Sequence, residues 1–258
     1  YDRRNLVEAA LKSVYPDADV VFKVPLAVRQ REGISKKRID EKAADREIEI
    51  KEGKMRFLVR PSGHKTGFFL DQRDTRERWS KLVRGKKVLD AFSYTGAFSI
   101  AARTLGKASR VVALDLDEEA VAQGKRNAEL NRASIEWIHE DAFRYLRGQR
   151  HAVDPYDCIS VDPPKWATSR GELDRATQKY IDCNAYAIAA VKTGGILVSS
   201  SCSGLVSEEA FVSFLYAAAT QAGRRLQIFH LGGAAPDHPV DVHCRESRYL
   251  KVAFGRVL

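Results

Sequence analysis

Residues Lys87–Phe98 read KVLDAFSYTGAF, a short apolar run followed by a turn that contains one glycine. Similar apolar runs recur downstream, and helical patterns such as Asp117–Leu130 and Glu208–Ala222 lie between most of them. Continuous runs of Val, Ile and Leu are typical of parallel strands that are covered on both faces. The predicted strands are Lys87–Asp90, Val111–Asp115, Ile135–Ile138, Cys158–Asp162, Ile196–Ser199, Leu226–Phe229 and Tyr249–Phe254. The sequence therefore predicts an α/β fold with a doubly wound, mostly parallel seven-stranded sheet, in which one of the last two strands is antiparallel at the edge.

The residues before this pattern are organised differently. An amphipathic helix is predicted over Asn5–Val14, where apolar residues share one face. The alternating runs Glu47–Lys51 and Met55–Val59 predict strands of a small antiparallel sheet. We therefore predict a small β-rich α+β domain over residues 1–75 and a larger domain, which carries the functional site, over residues 76–258.

Composition narrows the class of protein. Of 258 residues, 44% are hydrophobic and 30% are charged, which is ordinary for a globular protein, and no apolar run approaches the length of a membrane span. The net charge of +9 favours an anionic partner. The four cysteines include no Cys-x-x-Cys pair, so we expect no metal site, no disulfide framework and a cytoplasmic location. Cys158 and Cys183 lie in apolar patterns and are predicted to be buried, and the possibility of a homodimer stays open.

Acidic residues stand at or just after the ends of the first four predicted strands. In such a sheet, ligands bind outside the carboxyl ends of the strands, close to the point where the strand order reverses. Asp115, about 25 residues beyond Asp90, suits a carboxylate that accepts hydrogen bonds from two ribose hydroxyls. Asp141 is placed to accept from an adenine amino group, and Asp90 to face an ammonium group. The alternative is that Asp115 and Asp117 cap the next helix.

The first turn distinguishes between cofactors. A nicotinamide or flavin cofactor also fits an acidic residue at the position of Asp115, but its pyrophosphate needs several glycines so that backbone N–H groups can approach. This turn has only Gly96, and Ser93, Tyr94 and Thr95 leave side chains where a diphosphate would lie. A cofactor with a cationic amino-acid tail and no phosphate fits better. We therefore predict S-adenosylmethionine, held by this turn and by the acidic series that ends at Asp162.

The run Asp162-Pro163-Pro164-Lys165 follows the fourth predicted strand. Its two prolines donate no N–H and stiffen the turn, so they hold the Asp162 side chain and nearby carbonyls against a planar group. This pattern predicts contact of Pro163, Pro164 and Lys165 with a substrate that has a flat amide or a ring nitrogen. Trp166 either stacks on a base, which contributes about 1–3 kcal/mol, or packs in the core.

Cys202 lies in the run Ser201-Cys202-Ser203-Gly204, just past the carboxyl end of the fifth predicted strand. Neighbouring strands are about 4.8 Å apart, so Cys202 and Asp162 can reach one ligand. A thiolate that adds to C6 of a pyrimidine makes C5 nucleophilic toward a sulfonium methyl group, while Asp162 holds or protonates N3. Removal of the C5 proton then needs a base, either His238 or a water molecule. Transfer to an amino nitrogen would need no cysteine.

Several stretches resemble the bacterial large-subunit ribosomal RNA cytosine-5 methyltransferases that carry a PUA domain. They are His64–Arg73, Phe92–Gly96, Asp162–Lys165, Ser201–Gly204, Asp237–Pro239 and Tyr249–Lys251. The resemblance implies a class I methyltransferase fold, ribosomal RNA as the partner, and Cys202 as the nucleophile with Asp162 beside it. It also implies that Phe69, Gln72 and Arg73 border the cofactor.

Two features qualify what the resemblance implies. Many other RNA cytosine-5 methyltransferases have a second cysteine after their Pro-Pro, whereas this chain has Lys165, so product release should not require a second thiol. No PUA domain precedes Tyr1, and we expect a member of the family without that domain. The alternative functions are guanine-nitrogen methylation of ribosomal RNA and RNA binding without catalysis.

Overall fold

The structure, a computed structural model, describes residues 3–22, 24, 26–34, 45–63, 67–150 and 152–258. The first three residues of the run His64–Arg73 therefore lie outside the described residues. The chain divides into two compact units. The first comprises Tyr1–Ile50 and Phe57–Phe69, and the second comprises Lys51–Arg56 and Leu70–Leu258.

The first unit contains the predicted amphipathic helix, α1 (Arg4–Val14), and a short helix, α2 (Leu26–Arg31). No residue of α1 is buried. Strands β1 (Ile48–Glu52) and β2 (Met55–Val59) form a two-stranded sheet. The alternating residues of β2 explain its burial, because Met55, Phe57 and Val59 are buried and the residues between them are not.

The second unit is built on a seven-stranded sheet with the order β5-β4-β3-β6-β7-β9-β8. This arrangement confirms the predicted α/β fold with a doubly wound, mostly parallel sheet. Its strands are β3 (Lys87–Ala91), β4 (Arg110–Asp115), β5 (Glu136–His139), β6 (Tyr156–Val161), β7 (Val191–Ser201), β8 (Leu226–Gly232) and β9 (Lys251–Val257). Its helices are α3 (Arg73–Leu82), α4 (Ala97–Thr104), α5 (Glu118–Leu130), α6 (Ala142–Gln149), α7 (Leu173–Ala190) and α8 (Glu208–Gln221).

Successive strand residues point to opposite faces of the sheet, and both faces are covered. In β3, Leu89 joins a core cluster with residues of α6, α7 and α8, whereas Val88 joins a second cluster with residues of α3 and α4. Val112 and Val111 of β4 divide between the two clusters in the same way. This double burial is the reason for the continuous apolar runs in the sequence.

The position of the antiparallel strand differs from the prediction. Strand β9 runs antiparallel to both β7 and β8 and lies between them, so the strand at the edge is β8. In β9 the residues from Lys251 to Gly255 are all buried, whereas in β8 partly buried and exposed residues alternate. The strand with the longer buried run takes the interior place, because an interior strand is covered on both faces and an edge strand need not be.

Candidate active site

The β3–α4 loop, residues 92–96, begins where β3 ends. Three of its residues have positive φ angles: Phe92 at 62°, Tyr94 at 47° and Gly96 at 85°. Each such angle costs a non-glycine residue about 1–3 kcal/mol and persists only where surrounding contacts enforce it. Here Ser93 N donates to Leu114 O of β4 at 2.9 Å, and Gly96 N donates to Ser93 O at 2.8 Å. The loop is thus bent against the end of β4, as ligand-binding loops often are.

Asp115, at the end of β4, is one of the contacts that hold this loop. Its Oδ2 accepts from Tyr94 N at 2.7 Å, and its Oδ1 accepts from Asp117 N at 3.0 Å. The helix cap is Asp117, whose Oδ1 accepts from Glu119 N and Ala120 N at the start of α5. Of the two acidic residues for which capping was the alternative, only Asp117 therefore caps α5. Each oxygen of the half-buried Asp115 carboxylate keeps a lone pair for a further donor.

Gly96 is required for two reasons. Its φ angle of 85° favours glycine, and a Cβ at this position would lie 2.5 Å from Cη2 of Trp137 on β5. Gly124 of α5 approaches the same ring, since its Cβ would lie 2.2 Å from Cη2. The indole therefore packs between the β3–α4 loop and α5. Buried in this loop is Ser93 Oγ, which has no hydrogen-bond partner among the described residues.

Asp90 lies deep at the carboxyl end of β3, where it is only 1% exposed. Its Oδ2 accepts from Ser99 N at 3.0 Å and from Ser99 Oγ at 2.6 Å, and its Oδ1 accepts from Ser160 Oγ at 2.8 Å. Burial raises the pKa of Asp90 to about 6, against the opposing effect of these hydrogen bonds, and the nearby charge of Asp162 raises it further. These three hydrogen bonds all lie within the protein, so the predicted contact of Asp90 with an ammonium group stays a prediction.

Asp141 follows β5 and begins α6. Its Oδ1 accepts from Arg144 N at 2.9 Å, which makes it the N-cap of that helix. An N-cap uses one carboxylate oxygen and leaves the second available. Its predicted contact with an adenine amino group therefore stays a prediction.

The two predicted catalytic residues follow neighbouring parallel strands. Val161 of β6 is paired with Ser199 of β7, so Asp162 comes next to Ser200, and Ser200 Oγ donates to Asp162 Oδ1. Cys202 packs in the same core cluster as Val198, which places the even-numbered side chains at this end of β7 on one face. Cys158 of β6 packs in that cluster too, so the face is shared by the strand that leads to Asp162. Cys202 is half-buried.

Gln72, in the segment before α3, contacts Asp162. Its Nε2 donates to Asp162 Oδ1 at 3.0 Å, and its buried Oε1 has no hydrogen-bond partner in the described part of the chain. Next to it, Arg73 Nη1 pairs with Asp237 Oδ2 at 3.0 Å, which joins Arg73 to the Asp237-His238-Pro239 run. Phe69 belongs to the first unit.

The run that contains Cys202 is fixed by polar contacts on both sides of it. Ser201 Oγ donates to Tyr180 Oη of α7 at 2.9 Å, and Ser203 Oγ accepts from Ala167 N at 3.3 Å. Lys251 Nζ donates to Ser203 O at 2.5 Å. Sequence reasoning missed Ser200, Tyr180 and Lys251. Only Lys251 gave a signal, as a lysine inside an otherwise apolar predicted strand.

The predicted substrate residues divide by exposure. Pro163 is buried, whereas Pro164 and Lys165 are exposed at the end of β6. Trp166 lies in an aromatic group, with its ring centroid 4.7 Å from Tyr180, 5.5 Å from Phe143 and 5.9 Å from Phe92. Of its two predicted roles, stacking on a base or packing in the core, these contacts favour packing.

The described residues were compared with the requirements of a membrane span and of a metal site. Among the described helices, none is both long enough and apolar enough to cross a bilayer. Within the same residues, no group of three or more His, Cys, Asp and Glu side chains is placed to hold a metal ion. The predictions of no membrane partner and no metal stay predictions.

Comparisons with known proteins identify relatives. A family model described as S-adenosylmethionine-dependent methyltransferase matches residues 36–208, which confirms the predicted cofactor. The Ribosomal RNA large subunit methyltransferase I of Aeromonas salmonicida (strain A449) is 39% identical over 255 residues, or 96% of this chain and 64% of that protein. The protein of the same name from Escherichia coli O9:H4 (strain HS) is 36% identical over 264 aligned positions, or 100% of this chain and 66% of that protein. A Streptococcus mutans structure described as a SAM-dependent methyltransferase has the same fold, with a TM-score of 0.78 at 23% identity over 99% of this chain and 66% of that chain.

These comparisons correct the predicted family description. The resemblance defined the family by a PUA domain and described this chain as a member without one. The matching model is that of the S-adenosylmethionine-dependent methyltransferases, and the chain spans only 64% and 66% of the length of the two relatives. Because about a third of each relative lies outside the match, the description of this protein as one that lacks a domain has no support.

Proposed function

Because this chain belongs to the S-adenosylmethionine-dependent methyltransferase family, we propose that it methylates C5 of a cytosine in ribosomal RNA. The observation that carries the proposal is the placement of Cys202 and Asp162 on one face at the ends of two neighbouring strands. The names of the two relatives support RNA of the large ribosomal subunit as the substrate. The net charge of +9 suits that polyanion, and an RNA substrate of this kind suits a cytoplasmic location.

The residues around the β3–α4 loop fit the cofactor. The carboxylates that end the strands accept hydrogen bonds from hydroxyl, amino and ammonium groups and would repel a pyrophosphate. In this proposal Asp115 accepts from the ribose, Asp141 from the adenine, and the buried Ser93 Oγ, which has no partner in the described structure, gains one. When bound, S-adenosylmethionine supplies a methyl group on a positively charged sulfur. Gln72 and Arg73 border the site through their contacts with Asp162 and Asp237.

Cys202 is assigned the covalent step. Its thiolate forms a bond to C6 of the cytosine, and the electrons of the C5–C6 double bond move into the ring and make C5 nucleophilic. Negative charge then develops toward N3, where Asp162 holds or supplies a proton. Ser200 and Gln72 keep the Asp162 carboxyl in place for this task, because both donate to its Oδ1.

The last step restores the aromatic ring. A base removes the C5 proton, the electrons of that C–H bond rebuild the C5–C6 double bond, and the thiolate leaves C6 with its own electron pair. His238 and a water molecule are the candidate bases. His238 Nδ1 lies 3.2 Å from Asp237 Oδ1, and Asp237 also pairs with Arg73 at 3.0 Å. His238 is therefore linked through Asp237 to Arg73, and the residue before Arg73 in the chain, Gln72, contacts Asp162.

The decisive variant is Cys202→Ala, with Cys244→Ala as its matched control because Cys244 is exposed. Ribosomal RNA from cells that lack the gene serves as the substrate, and labelled S-adenosylmethionine reports the transfer. We expect Cys202→Ala to lose methyl transfer and to keep cofactor affinity in calorimetry, while Cys244→Ala keeps both. Full activity of Cys202→Ala would refute carbon methylation and favour transfer to a guanine nitrogen. Undetectable cofactor affinity in the unchanged protein would favour an RNA-binding factor without turnover.

A trapping experiment tests the adduct directly. In RNA that contains 5-fluorocytosine, methyl transfer can proceed, but no base can remove fluorine as a cation, so the Cys202–C6 bond should persist. We expect a protein–RNA band in a denaturing gel that depends on S-adenosylmethionine and is absent with Cys202→Ala. A band that survives this substitution would assign the nucleophile to another residue.

A further inference from the structure

Basic residues recur in the segment that follows the Asp162-Pro163-Pro164 run. They are Lys165, Arg170, Arg175 and Lys179. The first three are exposed, and Lys179 is half-buried. In the described part of the chain, none of these side chains forms a hydrogen bond or a salt bridge. Together they form what we call the basic surface.

The segment that carries the basic surface is held beside the proposed nucleophile. Ala167 is fully buried, and its N–H donates to Ser203 Oγ at 3.3 Å, where Ser203 is the residue after Cys202. Strand β6 ends at the carboxyl edge of the sheet, and α7 starts from the same edge and leads back to β7. The basic surface therefore extends from the end of β6 over the first two turns of α7.

The acidic residues of this segment do not pair with the basic surface. Glu172 accepts hydrogen bonds from Thr168 N at 3.1 Å and from Ser169 N at 3.2 Å, so its carboxylate is directed at the turn before α7. Asp174 lies in the first turn of α7, where a carboxylate stabilises the helix. Because these two carboxylates stand against four cations, the segment keeps a net positive charge.

The positions of two of the cations are unfavourable for α7 itself. Arg175 lies in the first turn of the helix, and Arg170 lies just before it. The positive end of the helix dipole is located there, and cations stabilise the opposite end of a helix. The two arginines are therefore better explained by an anion outside the protein than by a contribution to the stability of α7.

We propose that the basic surface binds the phosphate backbone of the RNA strand next to the target base. This inference rests on the proposed function, because it assigns a contact surface to the RNA substrate. Phosphate contacts fix the position and orientation of a nucleic acid and carry no sequence information. The basic surface thus holds the strand at the carboxyl edge of the sheet, while Asp162 and Cys202 act on the base.

The salt dependence of RNA affinity tests this surface. The unchanged protein is compared with the triple variant Lys165→Gln/Arg170→Gln/Arg175→Gln by fluorescence anisotropy of a labelled single-stranded RNA of mixed sequence, between about 50 and 200 mM KCl. The loss of these phosphate contacts should make the slope of log affinity against log salt shallower by about 2. Over this range the unchanged protein should therefore lose about 15- to 20-fold more affinity than the variant.

A matched variant removes the same charge from the amino edge of the sheet. Arg84 precedes β3, Arg225 precedes β8, and Arg147 lies in the last turn of α6. All of these are exposed. Arg84→Gln/Arg147→Gln/Arg225→Gln should leave the salt slope unchanged, whereas an equal change in both triple variants would overturn the proposal. An unchanged slope in the first variant would overturn it too, as would an unchanged protein that binds no RNA at about 50 mM KCl.

Acetylation of lysines gives a second measurement, without substitutions. Lys165 belongs to the basic surface, whereas Lys107 is exposed at the amino edge, where its main-chain oxygen accepts from Gly85 N. N-Hydroxysuccinimidyl acetate is applied with and without saturating RNA, and mass spectrometry of peptides reports each lysine. RNA should slow the acetylation of Lys165 several-fold and leave that of Lys107 unchanged. Equal rates for Lys165 with and without RNA would refute the role of the surface, and this result is decisive even if the triple variant does not fold.

The two proposals can fail separately. A Cys202→Ala protein with full methyl transfer refutes carbon methylation and leaves the salt slopes as measured. Conversely, equal slopes of the two triple variants refute the role of the basic surface, while loss of methyl transfer in Cys202→Ala still supports the covalent mechanism.

Discussion

The indole of Trp137 makes Gly96 and Gly124 a matched pair for substitution. In Gly96→Ala the new Cβ lies 2.5 Å from Trp137 Cη2 and the residue keeps a φ angle of 85°. The left-handed conformation costs an alanine about 1–2 kcal/mol, and overpacking costs about 1–3 kcal/mol. The free energy of unfolding should therefore fall by about 2–5 kcal/mol. Affinity for S-adenosylmethionine should fall with it, because the β3–α4 loop must shift.

Gly124→Ala separates the cost of the left-handed backbone conformation from the cost of the contact with Trp137. Its Cβ lies even closer to Trp137 Cη2, at 2.2 Å, but Gly124 is inside α5, where alanine is favoured by about 0.5–1 kcal/mol. The net loss should be at most about 2.5 kcal/mol. In a Trp137→Leu background, which removes the six-membered ring, Gly124→Ala should become neutral or stabilising. Gly96→Ala should still cost about 1–2 kcal/mol there, because its φ angle is unchanged.

Urea unfolding followed by circular dichroism measures these four differences, each within one Trp137 background. Circular dichroism is preferable to fluorescence because the substitution removes a tryptophan. Complete rescue of Gly96→Ala by Trp137→Leu would refute the claim that the loop conformation carries its own cost. A Gly124→Ala loss that persists in the Leu background would refute the claim that the indole is what excludes a side chain.

Two further predictions concern a buried acid and an aromatic residue. Because burial raises the pKa of Asp90 from 3.8 to about 6, its protonated form is favoured by folding, and this contribution is lost as the pH rises through about 6. Relative to Asp90→Asn, the unfolding free energy of the unchanged protein should rise by about 2–3 kcal/mol between pH 7 and pH 4 in urea titrations; a constant difference would contradict this. Trp166→Ala should lower the unfolding free energy by about 3–5 kcal/mol and leave RNA affinity unchanged in a filter-binding assay well below the unfolding temperature. A tenfold loss of affinity with unchanged stability would instead assign Trp166 to base stacking.

The strands of the sheet could be predicted because a strand covered on both faces needs apolar residues at consecutive positions, and such a run is visible in the local sequence. The position of β9 in the sheet could not be predicted, because strand order depends on pairing between segments that are far apart in the chain. Its insertion beside β7 depends on the buried run from Lys251 to Gly255, which competes with the alternating run of β8. Local pattern shows that both are strands and does not show which of them lies at the edge.

The candidate site also has parts that could be predicted from the sequence and parts that could not. Asp162 and Cys202 could be placed together from the sequence, because the carboxyl ends of parallel strands meet at one edge of a sheet. The contacts of Ser200 and Gln72 with Asp162 depend on register and on the approach of a remote segment, neither of which has a local signature. The predicted roles of the remaining site residues still await the experiments above.

The hydrogen bond between Asp90 and Ser160 also bears on how the sheet is aligned. These residues are directly paired across β3 and β6, where the strand order reverses. A slip of β6 by one residue would place Ile159 or Val161 opposite Asp90 and point the Ser160 hydroxyl to the other face. The same slip would displace Asp162 relative to the β3–α4 loop. The buried carboxyl of Asp90 thus fixes the register between β3 and β6 to a single residue. It thereby aligns the half of the sheet that carries the β3–α4 loop with the half that carries Cys202.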